Sequence, residues 1–265
     1  MDIQWTQTWP NSLHQCLVVA AIQEEADFAH IPLLDAHLAA PPNLPEGWGE
    51  TRKRLVLSMG KQQGLLLYLA KDASLEDWRK VAHQATKSAQ EFGYAEVLWL
   101  TVPEGPALEA LLEASLLTNY QFLPYRSKPK PFSVRAASLW GQPTKETQAA
   151  VSRGQQLAEA TCVARDLVNE PVITLTATEL GNRITHLGNT YGFETEVMGL
   201  AKIQSLQMGG LLAVTAGSEE PPSFSILHHK PEKPILDAPV VLVGKGVVFD
   251  TGGLSLKPTA NSMDF

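Results

Sequence analysis

The chain has 265 residues, 44% of them hydrophobic, enough to bury a sizeable core in one large domain or two ordinary ones. Acidic residues outnumber basic ones, 28 to 21, for a formal charge of −7, and they do so in both halves, so no basic half is available to hold nucleic acid. No stretch approaches the roughly 18 uninterrupted apolar residues of a membrane span, and Met1-Asp-Ile-Gln-Trp5 lacks the basic start and apolar run of a secretory leader.

Cys16 and Cys162 each sit in an apolar periodic segment, the pattern of buried thiols in a reducing compartment rather than of a disulfide framework. A cytoplasmic protein with neither a nucleic-acid nor a membrane partner is expected. In chain order, Cys16-Leu-Val-Val-Ala-Ala-Ile22 is a continuous apolar run, expected as a strand covered on both faces. Residues 54–58 and 64–69, joined by a turn containing Gly60, predict a hairpin. Then Trp78, Val81, Ala82, Ala85 and Ala89 recur at three and four residues, an amphipathic helix ended by Gly93. Residues 97–100 read as the next strand, and Leu108, Leu111, Leu112 and Ser115 mark a helix beginning after Pro103-Glu-Gly-Pro106. Strands alternating with helices make an α/β layer structure the expectation for residues 1–123.

Between Pro124 and Pro143 the composition shifts, with Pro129, Pro131, Arg126, Lys128 and Lys130. Proline at that density removes donors and blocks helix, so a solvated linker or strap is expected, not an element of either core. The resulting domains are 1–143, an α/β domain with its Pro-rich linker, and 144–265.

In the second domain a long helix is expected from Lys145 to about Asn169, ended by Asn169-Glu-Pro171 because a residue before proline leaves the helical region. Thr176-Ala-Thr-Glu179 matches a capping box, opening a helix with Leu180, Ile184 and Leu187 on one stripe and Gly188 or Gly192 at its close. A strand over 193–198, a short helix over 200–206, and strands over 208–218, 225–228 and 240–243 follow. Alternation again predicts an α/β domain with a mostly parallel sheet, its site at the carboxyl ends of strands.

The chemistry concentrates in Val240-Val-Leu-Val-Gly-Lys-Gly-Val-Val-Phe-Asp-Thr-Gly-Gly-Leu-Ser-Leu-Lys257. Lys245 stands between Gly244 and Gly246, and is open to three roles: a salt-bridge partner, a binder of substrate charge, or, if buried and deprotonated, a base or metal ligand. Asp250 is a hard oxygen donor suited to bridging divalent cations. Lys257 follows Leu254 and Leu256, which are expected to hold the segment against a core. The competing motif is the hydrophobic Asp-Thr-Gly of aspartic proteases, where two aspartates share a proton. One copy occurs, and Gly253 stands where those enzymes usually have Ser or Ala. His228 and His229 are adjacent, so on a strand they face opposite sides and at most one reaches any site.

The stretch from Gly244 to Pro258 resembles the signature of the leucyl aminopeptidase (cytosol aminopeptidase) family. Ala164-Arg-Asp-Leu-Val-Asn-Glu-Pro171 with Thr176, and Met208-Gly-Gly-Leu-Leu-Ala-Val214 with Gly217-Ser218, resemble two more of its motifs in the same order, while Tyr120-Gln-Phe-Leu-Pro-Tyr125 resembles a weaker one. The resemblance implies a two-domain α/β enzyme, a homo-hexamer releasing N-terminal residues from peptides with two divalent cations, Mn or Zn. It also implies that Lys245 binds one metal through its neutral amine, Asp250 bridges both, and Lys257 stabilises the developing oxyanion. Two cations sharing a water lower its pKa and polarise the scissile carbonyl.

The family's other ligands are carboxylates further along, one just past the position equivalent to Met263 and others in an Asn-Thr-Asp-Ala-Glu-Gly-Arg segment. Asp264 falls short of the first and the segment is absent. The expectation is therefore an N-terminal portion truncated inside the catalytic domain, inactive alone, with an open sheet edge or exposed apolar face. The alternative is a non-catalytic remnant or interaction module.

Overall fold

The computed structural model describes residues 1–9, 16–24, 27, 31, 42–59, 62–252 and 254–257. The turn expected at Gly60 lies outside the described residues, as do Gly253, Pro258, Met263 and Asp264. The chain divides into two compact units, Met1–Asp166 and Leu167–Phe265.

The first unit carries β1 (Asp2–Thr6), β2 (Cys16–Ile22), β3 (Arg54–Met59), β4 (Gln62–Tyr68), α1 (Leu75–Phe92), β5 (Glu96–Trp99), α2 (Gly105–Thr118), β6 (Ala136–Trp140) and most of α3 (Lys145–Asn169). The described strands form one six-stranded sheet in the order β1-β6-β5-β2-β4-β3. Every neighbouring pair is parallel except β3 with β4, the expected hairpin. The α/β class with a mostly parallel sheet therefore holds.

β2 is buried at every position. Leu17 and Val19 join Leu65, Val97, Trp99, Leu111 and Leu112 in one cluster, while Val18 and Ala20 join Leu57, Leu66 and Leu98 in another. Successive side chains alternate between two covered faces, which is why this run carries no polar positions. α1 is held at both ends. Ser74 and Asp77 form a reciprocal capping box, and Gly93 closes the helix in the left-handed region at φ 76°.

α3 packs closely on α2 at Gly154. A Cβ there would lie 3.0 Å from the Glu109 carbonyl oxygen and 3.3 Å from the Leu112 Cβ. Ala150, one helical turn earlier, reaches the same core, and Arg153 pairs with Glu109.

The stretch expected as a linker contains a strand. β6 occupies residues 136–140 and pairs with both β1 and β5. The prolines at 131 and 143 bracket it without entering it, so Ala136-Ala-Ser-Leu-Trp140 keeps its donors and completes the sheet.

The second unit carries α4 (Ala177–Tyr191), β7 (Glu194–Met198), α5 (Leu200–Ser205), α6 (Gly209–Thr215) and β8 (Phe224–His228). Its described strands are a single antiparallel pair, β7 with β8, so the parallel sheet belongs to the first unit alone. Thr176 caps α4 by accepting from the Glu179 N–H, while Glu179 turns its carboxylate to Arg183, so half of the expected box forms. The side chain of Val197 on β7 lies against Gly181 of α4, and Leu175, Met198 and Ile203 make a small buried set.

Two expected strands of this unit are not strands. Residues 208–218 contain helix α6 instead, with the Thr215 hydroxyl bonding back to the Leu211 carbonyl at 3.0 Å. A short apolar run has no period that separates a strand from a helical turn. Residues 240–243 take irregular backbone, their side chains 71% to 94% exposed. A strand exists only through a partner, and among the described residues none pairs with this run.

Candidate functional site

The segment after residue 243 is irregular up to a local turn at residues 250–257. Gly252 makes that turn. Its φ is 92°, and a Cβ built on it would lie 2.5 Å from the Ser255 carbonyl oxygen and 3.2 Å from the Lys257 Cγ. Glycine alone fits both the angle and the approach. The Lys257 N–H then donates to the Thr251 carbonyl at 2.9 Å, closing the loop.

The closed loop brings two of the three candidate residues into contact. Lys257 Nζ donates to Asp250 Oδ2 at 3.0 Å, and the Gly252 N–H donates to Asp250 Oδ1 at 2.9 Å. Both carboxylate oxygens thus carry a donor. The hydrogen bond from Lys257 chiefly, then that from the Gly252 N–H, holds the Asp250 carboxyl below the usual carboxylate range, against a smaller opposing effect of desolvation. The charges of Lys257 and Lys245 act in the same direction. The side chains are 28% exposed for Lys257 and 42% for Asp250, so water and salt screen the pair.

Lys245 is exposed, and among the described residues it makes no hydrogen bond or ion pair. It shares the neighbourhood of Asp250 through charge alone. His228 Nδ1 lies 3.8 Å from Glu194 Oε2 across the β7–β8 pair, a cross-strand contact, and His229 follows the end of β8. Among the described residues no group of three or more His, Cys, Asp or Glu is arranged to hold a metal ion. One amine and one carboxylate do not by themselves hold two cations, so the donor set described is incomplete for a two-metal centre.

Arg183 bonds Glu170 at 3.0 Å and Glu179 at 3.1 Å, tying Asn169-Glu-Pro171 to the start of α4. Missing from the sequence reasoning was the pairing of Asp250 with Lys257. The residues stand seven apart, and they meet only because Gly252 adopts a positive φ. The signal was Thr251-Gly252 directly after Asp250, the composition of a tight turn.

Residues 162–265 match the cytosol aminopeptidase family, catalytic domain. The "Probable cytosol aminopeptidase" of Burkholderia orbicola is 38% identical over 225 residues, covering 81% of this chain and 43% of its own length. That of Paraburkholderia phymatum is 37% identical over 236 residues, 83% and 44% respectively. The chain belongs to the cytosol aminopeptidase family and spans less than half the length of these curated relatives.

Among solved structures, the bottromycin maturation enzyme BotP in complex with Mn superposes with a TM-score of 0.68 at 28% identity, covering 92% of this chain and 50% of that one. A mutant of tomato leucine aminopeptidase superposes with a TM-score of 0.69 at 18% identity, over 88% and 52%, a likeness of fold alone.

Proposed function

We propose that residues 144–265 supply the first part of a two-metal aminopeptidase centre, one that releases N-terminal, leucine-type residues from peptides, and that residues 1–143 form the accompanying α/β domain. Lys245, through its neutral amine, and Asp250, shared between two cations, would hold metals that would lower the pKa of a common water and polarise the scissile carbonyl, and Lys257 would face the developing oxyanion. The cations are Mn or Zn, the assembly a homo-hexamer, and the compartment the cytoplasm. The observation that carries this reading is the turn holding Asp250 and Lys257 3.0 Å apart inside the stretch that matches the family's catalytic domain.

Inactivity of these 265 residues alone is part of the proposal, because one amine and one carboxylate do not hold two cations. Purified and supplied with Mn²⁺ or Zn²⁺, it should not cleave leucine amide, and robust turnover lost in Asp250→Ala would overturn that expectation. Mixed with a polypeptide carrying the remaining catalytic-domain sequence of the Burkholderia orbicola relative, it should gain metal-dependent turnover that Asp250→Ala abolishes. Failure of that mixture, with both polypeptides folded and associated, counts against the aminopeptidase role. Exposure of residues 240–243 favours a second reading, a non-catalytic interaction module. Its mark is tight association of the chain with a partner that confers no hydrolysis.

A further inference from the structure

The stretch between α2 and β6 has no part in the catalytic reading, and its charge sets it apart. From 114 to 145 the sequence has no Asp or Glu, while Arg126, Lys128, Lys130, Arg135 and Lys145 are all basic. Without these five the chain's 21 basic residues fall to 16, against 28 acidic ones, so the remainder stands at −12. Residues 124–131 are exposed without interruption. Among the described residues the side chains of Arg126, Lys128 and Lys130 make no ion pair or hydrogen bond.

This strap is nevertheless held at its base. Gln121 bridges it, its Oε1 accepting from the Phe132 N–H at 2.8 Å and its Nε2 donating to the Lys130 carbonyl at 3.4 Å. Asn119 Nδ2 donates to the Val134 carbonyl at 3.0 Å, and the Arg126 N–H closes a turn on the Leu123 carbonyl at 3.0 Å. Pro124, Pro129 and Pro131 each fix φ, so little conformational freedom is left to lose when the strap engages a ligand. Three free cations in five residues, stapled at the base and raised from a negatively charged body, have the form of a docking arm.

Its shortness selects the partner. A nucleic acid or membrane surface carries its negative charge well past 124–131 and would meet the acidic remainder, beginning with Asp166, which accepts from the Tyr120 hydroxyl at 2.8 Å beside the strap's base. A short run of Asp and Glu ends where the cations end. We propose that residues 124–131 dock a short acidic segment of another polypeptide, with Arg126, Lys128 and Lys130 as its counter-charges. Exposed pairs are screened and individually weak, so the three act together and the association is transient. None of this depends on the aminopeptidase reading.

The test is fluorescence anisotropy of a dye-labelled octaglutamate peptide titrated with the 265-residue chain. Binding at low salt should weaken about tenfold or more by about 0.5 M NaCl. Arg126→Gln, Lys128→Gln and Lys130→Gln together should weaken it about tenfold at low salt, roughly twofold for each charge. Arg126→Lys keeps the charge and should bind within about twofold of the unaltered chain. Lys71→Gln, Lys87→Gln and Lys202→Gln together change the net charge equally at exposed sites off the strap, and should also bind within about twofold. Equal weakening in the two triple variants would make net charge the cause and overturn the proposal, as would absence of binding at low salt. Tighter capture of an octanucleotide DNA strand, or of phosphatidylserine–phosphatidylcholine vesicles, lost in the strap variant, would overturn the choice of partner. Unchanged thermal unfolding reports that each variant is folded.

Discussion

Two apolar runs of the same character meet opposite fates. Cys16-Leu-Val-Val-Ala-Ala-Ile22 is β2, at the middle of the six-stranded sheet, with Leu17 and Val19 at 0% exposure. Val240-Val-Leu-Val243 is at least as hydrophobic, yet it lies in irregular backbone with Leu242 91% exposed. The difference is not propensity. β2 has β4 on one side and β5 on the other, with helix side chains over one face and loop side chains such as Ile31 and Trp48 over the other. The later run has no such neighbours among the described residues. Hydrophobic composition makes a strand possible, and ladder partners make it real.

Substitutions test that contrast most sharply. Leu66→Ala, within the buried cluster beneath β2, should cost about 2 to 5 kcal/mol, read as a lowered urea midpoint of the first unit. Leu242→Ala should stay within about 0.5 kcal/mol, read as the urea midpoint of the second unit. Similar losses at the two sites would mean that residues 240–243 are packed in solution, and the contrast would fail.

Glycines give a second, smaller comparison. Gly154→Leu drives a side chain into the Glu109 backbone and should destabilise the first unit by about 1 to 3 kcal/mol. Gly246→Ala meets only Leu180 Cδ2, at 3.9 Å, and should leave thermal unfolding unchanged within about 0.5 kcal/mol.

The smallest effect concerns the turn itself. Asp250 has its carboxyl held down by Lys257 and Gly252, so whatever the pair contributes is present above the unfolded-state value and is lost as pH falls through the lower folded value. The Gly252 amide shift should therefore titrate with a midpoint below the usual aspartate range. In Lys257→Met, which removes the leading cause, the midpoint should rise toward that range. A midpoint that ignores the substitution would show that the ion pair does not persist in solution.

Much of the first unit was legible because its signals are local and agree with its packing. Trp78, Val81 and Ala85 set the period of α1, Gly93 marks its end, and the β3–β4 hairpin follows from two adjacent apolar runs. β6 was hidden because prolines dominate its surroundings, whereas its partners β1 and β5 are distant in sequence. Residues 208–218 were hidden for the opposite reason, an apolar stretch too short to show a period. At the site, Lys245, Asp250 and Lys257 stood out by their glycines. The contact between the last two was not legible, since it depends on one backbone angle at Gly252. Residues 240–243 illustrate the limit most plainly: pairing is a property of two segments, and one segment's composition cannot supply it.

The placement of β6 between β1 and β5 also sets an order of events at the ribosome. β1 precedes the other described strands of the sheet, and among them its one neighbour is β6, which pairs Asp2 with Ala136 and Thr6 with Trp140. Once made, β1 has no described partner until β6, late in the first unit, has emerged. Pairings so distant in sequence close slowly, because the entropy of a long loop is lost before any contact compensates. β1 is thus made well before the strand that secures it, and the nascent chain depends on whatever shields its edge in the interval.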